Sequence, residues 1–119
     1  MARSPLVALG ALNAALAVAA GAFAAHALKD RLSVRALEIF ETGARYHIYH
    51  ALAMILAGVL VVRGATTAGW LFQAGIVLFT GSLYLLAATD VKVLGAITPI
   101  GGVAFLAGWL WLAWCAWRG

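Results

Sequence analysis

Four apolar runs, Pro5 to Leu28, Tyr46 to Val62, Ala68 to Ala88 and Leu94 to Trp117, take up most of a 119-residue chain. Each lies within or near the roughly 17–25 residues that a helix needs to cross the hydrocarbon of a bilayer. Backbone groups in hydrocarbon must be satisfied within a helix or a closed barrel, and these runs of Ala, Leu and Gly lack the alternation of barrel strands. Helices are therefore expected. Composition excludes a water-soluble globule: 66% of residues are hydrophobic, and 8 Lys and Arg with 4 Asp and Glu cannot cover a domain that must also hide five Trp and five Phe. The expected fold class is an all-α membrane protein, a single integral membrane domain over residues 1–119 built as a four-transmembrane-helix bundle.

The segment between the first two runs is charged but periodic. Ser33 can cap a helix whose Ala36, Leu37, Phe40 and Ala44 share one face, with Arg35, Glu38, Glu41 and Arg45 on the other. An interfacial amphipathic helix over about 33–45 is expected there, with Arg35–Glu38 and Glu41–Arg45 spaced as ion pairs. In the spans, Ala17, Gly21 and Ala25, and Ala104 and Gly108, have the i+4 spacing that lets helices approach closely in lipid. Pro99 removes one helical hydrogen bond and predicts a kink near Gly95 to Pro99. The first run is too long for the ~7–15-residue apolar core of a cleavable signal, so it is expected to stay as a span.

Eight cations spread singly make no basic stripe, which excludes nucleic acid as a partner. Membrane lipids are the expected partner, with a homo-oligomer or other membrane proteins in addition. Lys29, Arg31, Arg35, Arg45 and Lys92 flank one side and Arg3, Arg63 and Arg118 the other, which leans toward both termini outside. Trp70, Trp109, Trp111, Trp114 and Trp117 all fall toward the terminal side as interface anchors. Cys115 is the only cysteine, so no internal disulfide is possible.

Chemistry has few carriers. His26, His47 and His50 are expected near one membrane side, and neutral imidazoles at that depth are candidate metal ligands. A haem would pair His26 with His50. On a continuous helix Glu38 and Glu41 point away from His47 and His50, and only a break at Gly43 would bring them together. The plainer reading makes these histidines, with Tyr46 and Tyr49, amphipathic side chains at the headgroup boundary. Asn13, Gln73, Thr80, Ser82 and Tyr84 are expected in interhelical hydrogen bonds. No Asp, Glu, Lys or Arg lies near the middle of a span, which argues against a proton-coupled exporter. No nucleophile with an adjacent base and no phosphate loop appears, so no enzyme activity and no cofactor are expected.

Four blocks carry a resemblance: Gly21-Ala22-Phe23-Ala24-Ala25-His26-Ala27-Leu28; Phe40 to Ala53, with Arg45-Tyr46-His47-Ile48-Tyr49-His50; Gly81-Ser82-Leu83-Tyr84; and Leu94 to Gly102, with Thr98-Pro99. In this order the chain is similar to the YgdD-like family of small inner-membrane proteins. The resemblance implies a multi-pass protein of the bacterial plasma membrane with no established activity, and it supplies no catalytic residues. The functional expectation is a structural or accessory membrane component. The competing classes are a metal- or haem-binding protein using the histidines and a small oligomeric transport subunit.

Overall fold

A computed structural model describes residues 3–119, and every regular element among them is helical. Helix α1 (Pro5–Phe23) starts at Ser4, whose hydroxyl accepts the Val7 N–H at 3.2 Å, and runs on through a π turn, Ala24–Leu28. Helix α2 (Val34–Val59) is capped by Ser33, whose hydroxyl accepts the Ala36 N–H at 3.1 Å. Helix α3 (Ala65–Gly75), a second π turn (Ile76–Thr80) and α4 (Gly81–Thr89) form one rod, and α5 (Leu94–Arg118) is the last. The connections are short: Gly64 takes φ +93° at the head of α3, and Asp90 takes φ +56° at the end of α4.

Three rods, Pro5–Leu28, Ala65–Thr89 and Leu94–Arg118, are long and apolar enough to cross a membrane. Their apolar side chains mostly face outward: 22% of the first window and 17% of the third are buried in the protein, so lipid has to cover the rest. Leu12, Leu16 and Val18 on α1 and Val103, Leu106 and Leu110 on α5 form such outward faces. The rods make a slab of 48 × 30 × 17 Å.

Helix α2 corrects the expected organisation. The segment 33–45 is not a separate helix lying between two spans; it is the N-terminal half of one continuous 26-residue helix. Gly43 does not break it, because its missing side chain makes room for the Tyr84 ring, which lies 3.0 Å from where a Cβ would stand. The expected ion pairs are not formed either. Arg45 reaches the Thr42 hydroxyl at 3.3 Å, and among the described residues the one salt bridge joins Lys92 to Asp90.

Helices α1 and α2 run antiparallel along their length, with Val7 beside Gly58, Gly10 beside Ile55 and Asn13 beside His47. The buried face of α1 is Leu6, Gly10, Asn13 and Ala17. Gly21 and Ala25 fall off it, Gly21 facing open space, so of the three small residues expected on α1 only Ala17 is buried, whereas of the pair expected on α5 Gly108 is buried against Phe72. Helix α5 presents Gly101, Phe105, Gly108 and Cys115 to α3 and the second π turn. Helix α5 runs unbroken through Pro99, which sits in its second turn, where only the Gly95 carbonyl loses its helical donor. The apolar core gathers Leu6, Ala53, Met54, Ala57, Ala68, Phe72, Ile76 and Phe105 from all four rods.

The tightest crossing is at Gly101, where a Cβ would fall on the backbone nitrogen of Phe79. Backbone cannot yield as a flexible side chain does, so Gly101→Ala is expected to destabilise the fold by about 1–3 kcal/mol. Gly21→Ala, which meets nothing within 4 Å, is expected to leave stability unchanged or slightly raised. Thermal unfolding of the two variants in one detergent, followed by circular dichroism, checks this contrast.

Candidate functional site

Because α2 begins at Val34, His47 lies 13 residues into a rod, about 20 Å along its axis at 1.5 Å per residue. The two α2 histidines are therefore at the middle depth of the bundle and not at its boundary. Both are buried, each 5% exposed. That depth permits a polar side chain only if it finds partners inside the protein.

His47 has two. Its Nε2 is 2.9 Å from Asn13 Oδ1 and its Nδ1 is 3.1 Å from the Tyr84 hydroxyl. The Asn13 amide nitrogen donates to the Leu9 carbonyl at 3.0 Å and to Gln73 Oε1 at 2.8 Å, so its oxygen is the atom that faces His47. A carbonyl oxygen only accepts, and Nε2 must carry the hydrogen. No ion pair joins His47 among the described residues, and an unpaired charge at this depth is costly, so Nδ1 accepts from Tyr84. The result is a directed chain from Tyr84 through His47 and Asn13 to Gln73, joining α4, α2, α1 and α3.

His50 is held in the opposite tautomer. Trp109 donates its indole N–H to His50 Nε2 at 3.1 Å, and Nδ1 lies 2.8 Å from the Tyr46 carbonyl. An indole only donates and a carbonyl only accepts, so the hydrogen is on Nδ1 and the ring is neutral. The imidazole stacks on Phe105 with centroids 3.6 Å apart at 10°. Trp109 also packs on Phe72 at 4.6 Å. Though 41% exposed, it thus also donates to α2 and is more than the interface anchor expected of it. Trp111 is tied as well, donating to the Gly64 carbonyl at 3.0 Å, though it is exposed like Trp114 and Trp117.

The third histidine does not join them. His26 is exposed in the π turn that ends the first rod. It stands 13 residues beyond Asn13, about 20 Å along the axis from the level of His47. Among the described residues no group of three His, Cys, Asp or Glu is placed to hold a metal ion. The pairing of His26 with His50 is not brought together, and the ring lone pairs of His47 and His50 are both engaged by protein donors. A groove of about 450 Å³ beside His50, lined by Tyr46, Phe79, Phe105, Leu106 and Trp109, is apolar.

The remaining span polar groups also cross between helices. Thr80 donates to the Gly43 carbonyl at 3.4 Å, and Ser82 bonds Thr98 of α5. Sequence reasoning named Asn13, Gln73, Thr80, Ser82 and Tyr84 as interhelical partners but missed their connection to His47, and missed Trp109 as the donor to His50. The i, i+4 spacing of Phe105 and Trp109, which puts both on one face of α5, was the available signal.

Long apolar rods with outward hydrophobic faces, joined at mid-depth by an internally satisfied polar layer, define an integral membrane protein. A family model described as protein of unknown function DUF423 matches residues 20–102, and the chain belongs to that family. It is 50% identical over 107 residues to the UPF0382 membrane protein YwdK of Bacillus subtilis, covering 86% of this chain and 87% of the relative. A UPF0382 membrane protein of Staphylococcus epidermidis is 52% identical over 107 residues, covering 86% of each. Another, SSP2132 of Staphylococcus saprophyticus, is 49% identical over 109 residues, covering 87% and 89%. No solved structure matches. The comparisons name the family DUF423 and UPF0382 where the sequence resemblance gave YgdD-like; the class, small membrane proteins of unknown function, is the same.

Replacing Asn13 by Leu leaves the His47 N–H and the Gln73 carbonyl without their partner and is expected to cost about 1–3 kcal/mol. Trp109→Phe keeps the ring and strands only the His50 acceptor, so its loss is expected to be smaller. Unfolding midpoints in detergent for the two variants rank them; equal or reversed losses contradict the assigned network.

Proposed function

We propose that this chain is a structural or accessory component of a bacterial plasma membrane that crosses the bilayer four times, and that it is not an enzyme. The observation that carries the reading is that, among the described residues, every buried side-chain nitrogen and oxygen has a protein partner. At mid-depth Asn13, His47 and His50 each find at least one of those partners on another helix. A catalytic or ligand-binding layer needs at least one polar group whose hydrogen-bonding capacity is left for substrate, and His47, His50 and Asn13 have theirs engaged.

Three rods supply the apolar length for crossing. The fourth crossing is assigned to α2 because it lies antiparallel against α1 from Ala44 to Gly58, and its apolar half cannot be left in water. Its first turns, with Arg35 and Glu38, then lie at the headgroup level, interfacial in location though continuous with the span, while Glu41 and Arg45 border a groove beside Ala17 and Gly21 of α1. Outward faces of α1 and α5 are available to lipid, to a second copy or to another membrane protein. Resemblance to small inner-membrane proteins supports the plasma-membrane location, with both termini on the side opposite the Lys- and Arg-rich loops.

Single cysteines in a Cys115→Ser background test the crossing number. Leu32→Cys and Val61→Cys, at opposite ends of α2, are expected to react with a membrane-impermeant maleimide from opposite sides. Labelling of both from one side removes the fourth crossing. Elemental analysis and a visible spectrum of the detergent-purified protein are expected to be blank. A stoichiometric metal or a Soret band lost in His50→Ala replaces this reading with the metal- or haem-binding one.

A further inference from the structure

The end of the bundle formed by loops 29–33 and 90–93 holds a cavity of about 430 Å³ with a distinct chemistry. Arg31 and Arg35 line it from the α1–α2 connection and the first turn of α2, and Asp90 and Lys92 line it from the α4–α5 turn. Ile39 and Leu86 form its apolar floor between α2 and α4. Lys92 and Asp90 neutralise one another across 3.2 Å. Arg31 and Arg35 have no carboxylate partner among the described residues, so the lining carries two uncompensated guanidinium charges. The capped first turn of the 26-residue α2, the positive end of its dipole, borders the same space at Arg35 and Ala36.

We propose that this cavity holds the phosphate of an anionic glycerophospholipid. Planar guanidinium groups match phosphate oxygens in bidentate fashion, and two from adjoining segments grip one phosphate better than scattered lysines. The lipid source follows from position and floor. The cavity sits where the apolar rods end, at headgroup depth, and Ile39 and Leu86 continue it toward the hydrocarbon, a surface that a soluble anion does not use. The assignment holds whichever face of the membrane this end occupies, but it rests on the proposed fourth crossing, since α2 and the α3–α4 rod must both cross for the two loops to share one side.

The test uses the full chain, delipidated in detergent and titrated with phosphatidylglycerol, with phosphatidylcholine of the same acyl chains, or with inorganic phosphate, bound species being counted by native mass spectrometry. Phosphatidylglycerol is expected to bind on the order of tenfold more tightly than phosphatidylcholine. Arg31→Gln with Arg35→Gln is expected to reduce that preference to about twofold or less. Lys29→Gln with Arg45→Gln removes the same charge outside this cavity and is expected to keep the preference. Equal loss in both double variants reduces the effect to overall charge and overturns the site, as does no preference in the unaltered chain. Inorganic phosphate binding as tightly as phosphatidylglycerol overturns the lipid assignment.

Discussion

A nitrogen or oxygen in hydrocarbon has no water to turn to, and this decides how the four rods are joined. The least apolar rod, α2, lies at the centre of the arrangement. His47 reaches α1 through Asn13 and α4 through Tyr84, while His50, one turn further along, reaches α5 through Trp109. Two histidines at i, i+3 on one helix thus contact every other rod. Their tautomers are opposite because their partners are: a carbonyl oxygen at His47 Nε2 and an indole N–H at His50 Nε2. Each ring bridges a donor and an acceptor, a task that neither a hydroxyl of shorter reach nor a charged lysine performs at this depth. The bonds are individually modest, about 0.6 kcal/mol on average in membranes, but a partner removed leaves a buried polar atom exposed to lipid.

Apolar contact between the rods then depends on distance, since lipid is as oily as leucine and rewards association only through close packing. The second π turn is the meeting point: Phe79 presents its backbone to Gly101 of α5, while Thr80 bonds the Gly43 carbonyl of α2. A π turn loosens the regular ladder and is often found where a helix serves a special contact. Here one such turn serves two neighbours. Glycine at 101 supplies the space for the turn on α5, and Gly43 makes room for the Tyr84 ring that follows it on α4, which couples the apolar packing to the polar layer along this one rod.

The apolar rods were legible from run length alone, and the intramembrane polar residues were legible as interhelical partners, because both follow from single-residue hydropathy. The start of α2 was not. Arg35, Glu38, Glu41 and Arg45 depress local hydropathy, so a span is read as beginning at Tyr46, whereas backbone hydrogen bonding continues unbroken from Val34. That one displacement moved His47 and His50 from the middle of the bundle to its edge and made a cluster with His26 look natural. The small-residue stripe on α1 failed for a related reason, while Gly108 on α5 is at a close contact as expected. Spacing of i+4 names a possible face, but the face that is buried depends on which neighbour carries the complementary group, and Asn13 facing His47 turned α1 toward Leu6, Gly10 and Ala17 instead of Gly21 and Ala25.

The same continuity gives the two ends of the bundle different characters. Exposed Trp70, Trp114 and Trp117 lie at the end that carries the C-terminus, and Trp111 is anchored there to the Gly64 turn. The opposite end carries Arg31, Arg35 and Lys92 with the unpaired carboxylates of Glu38 and Glu41. In the four-crossing arrangement the apolar part of α2, residues 46–59, is 14 residues or about 21 Å, well short of a hydrocarbon thickness of roughly 30 Å. Helix α1 with its π turn, at 24 residues, spans about 36 Å beside it. A short span packed against a long one draws headgroups inward on the short side, or makes Arg45 extend outward along its stem. Glu41 and Arg45 line a shallow groove with Ala17, Gly21 and Ile48 on that side, so polar lipid atoms and water entering along α2 would meet charge before they met the histidine layer. The polar layer is therefore closest to water from the basic end, and the internal pairing of His47 with Asn13 and Tyr84 is what keeps that approach from becoming a path.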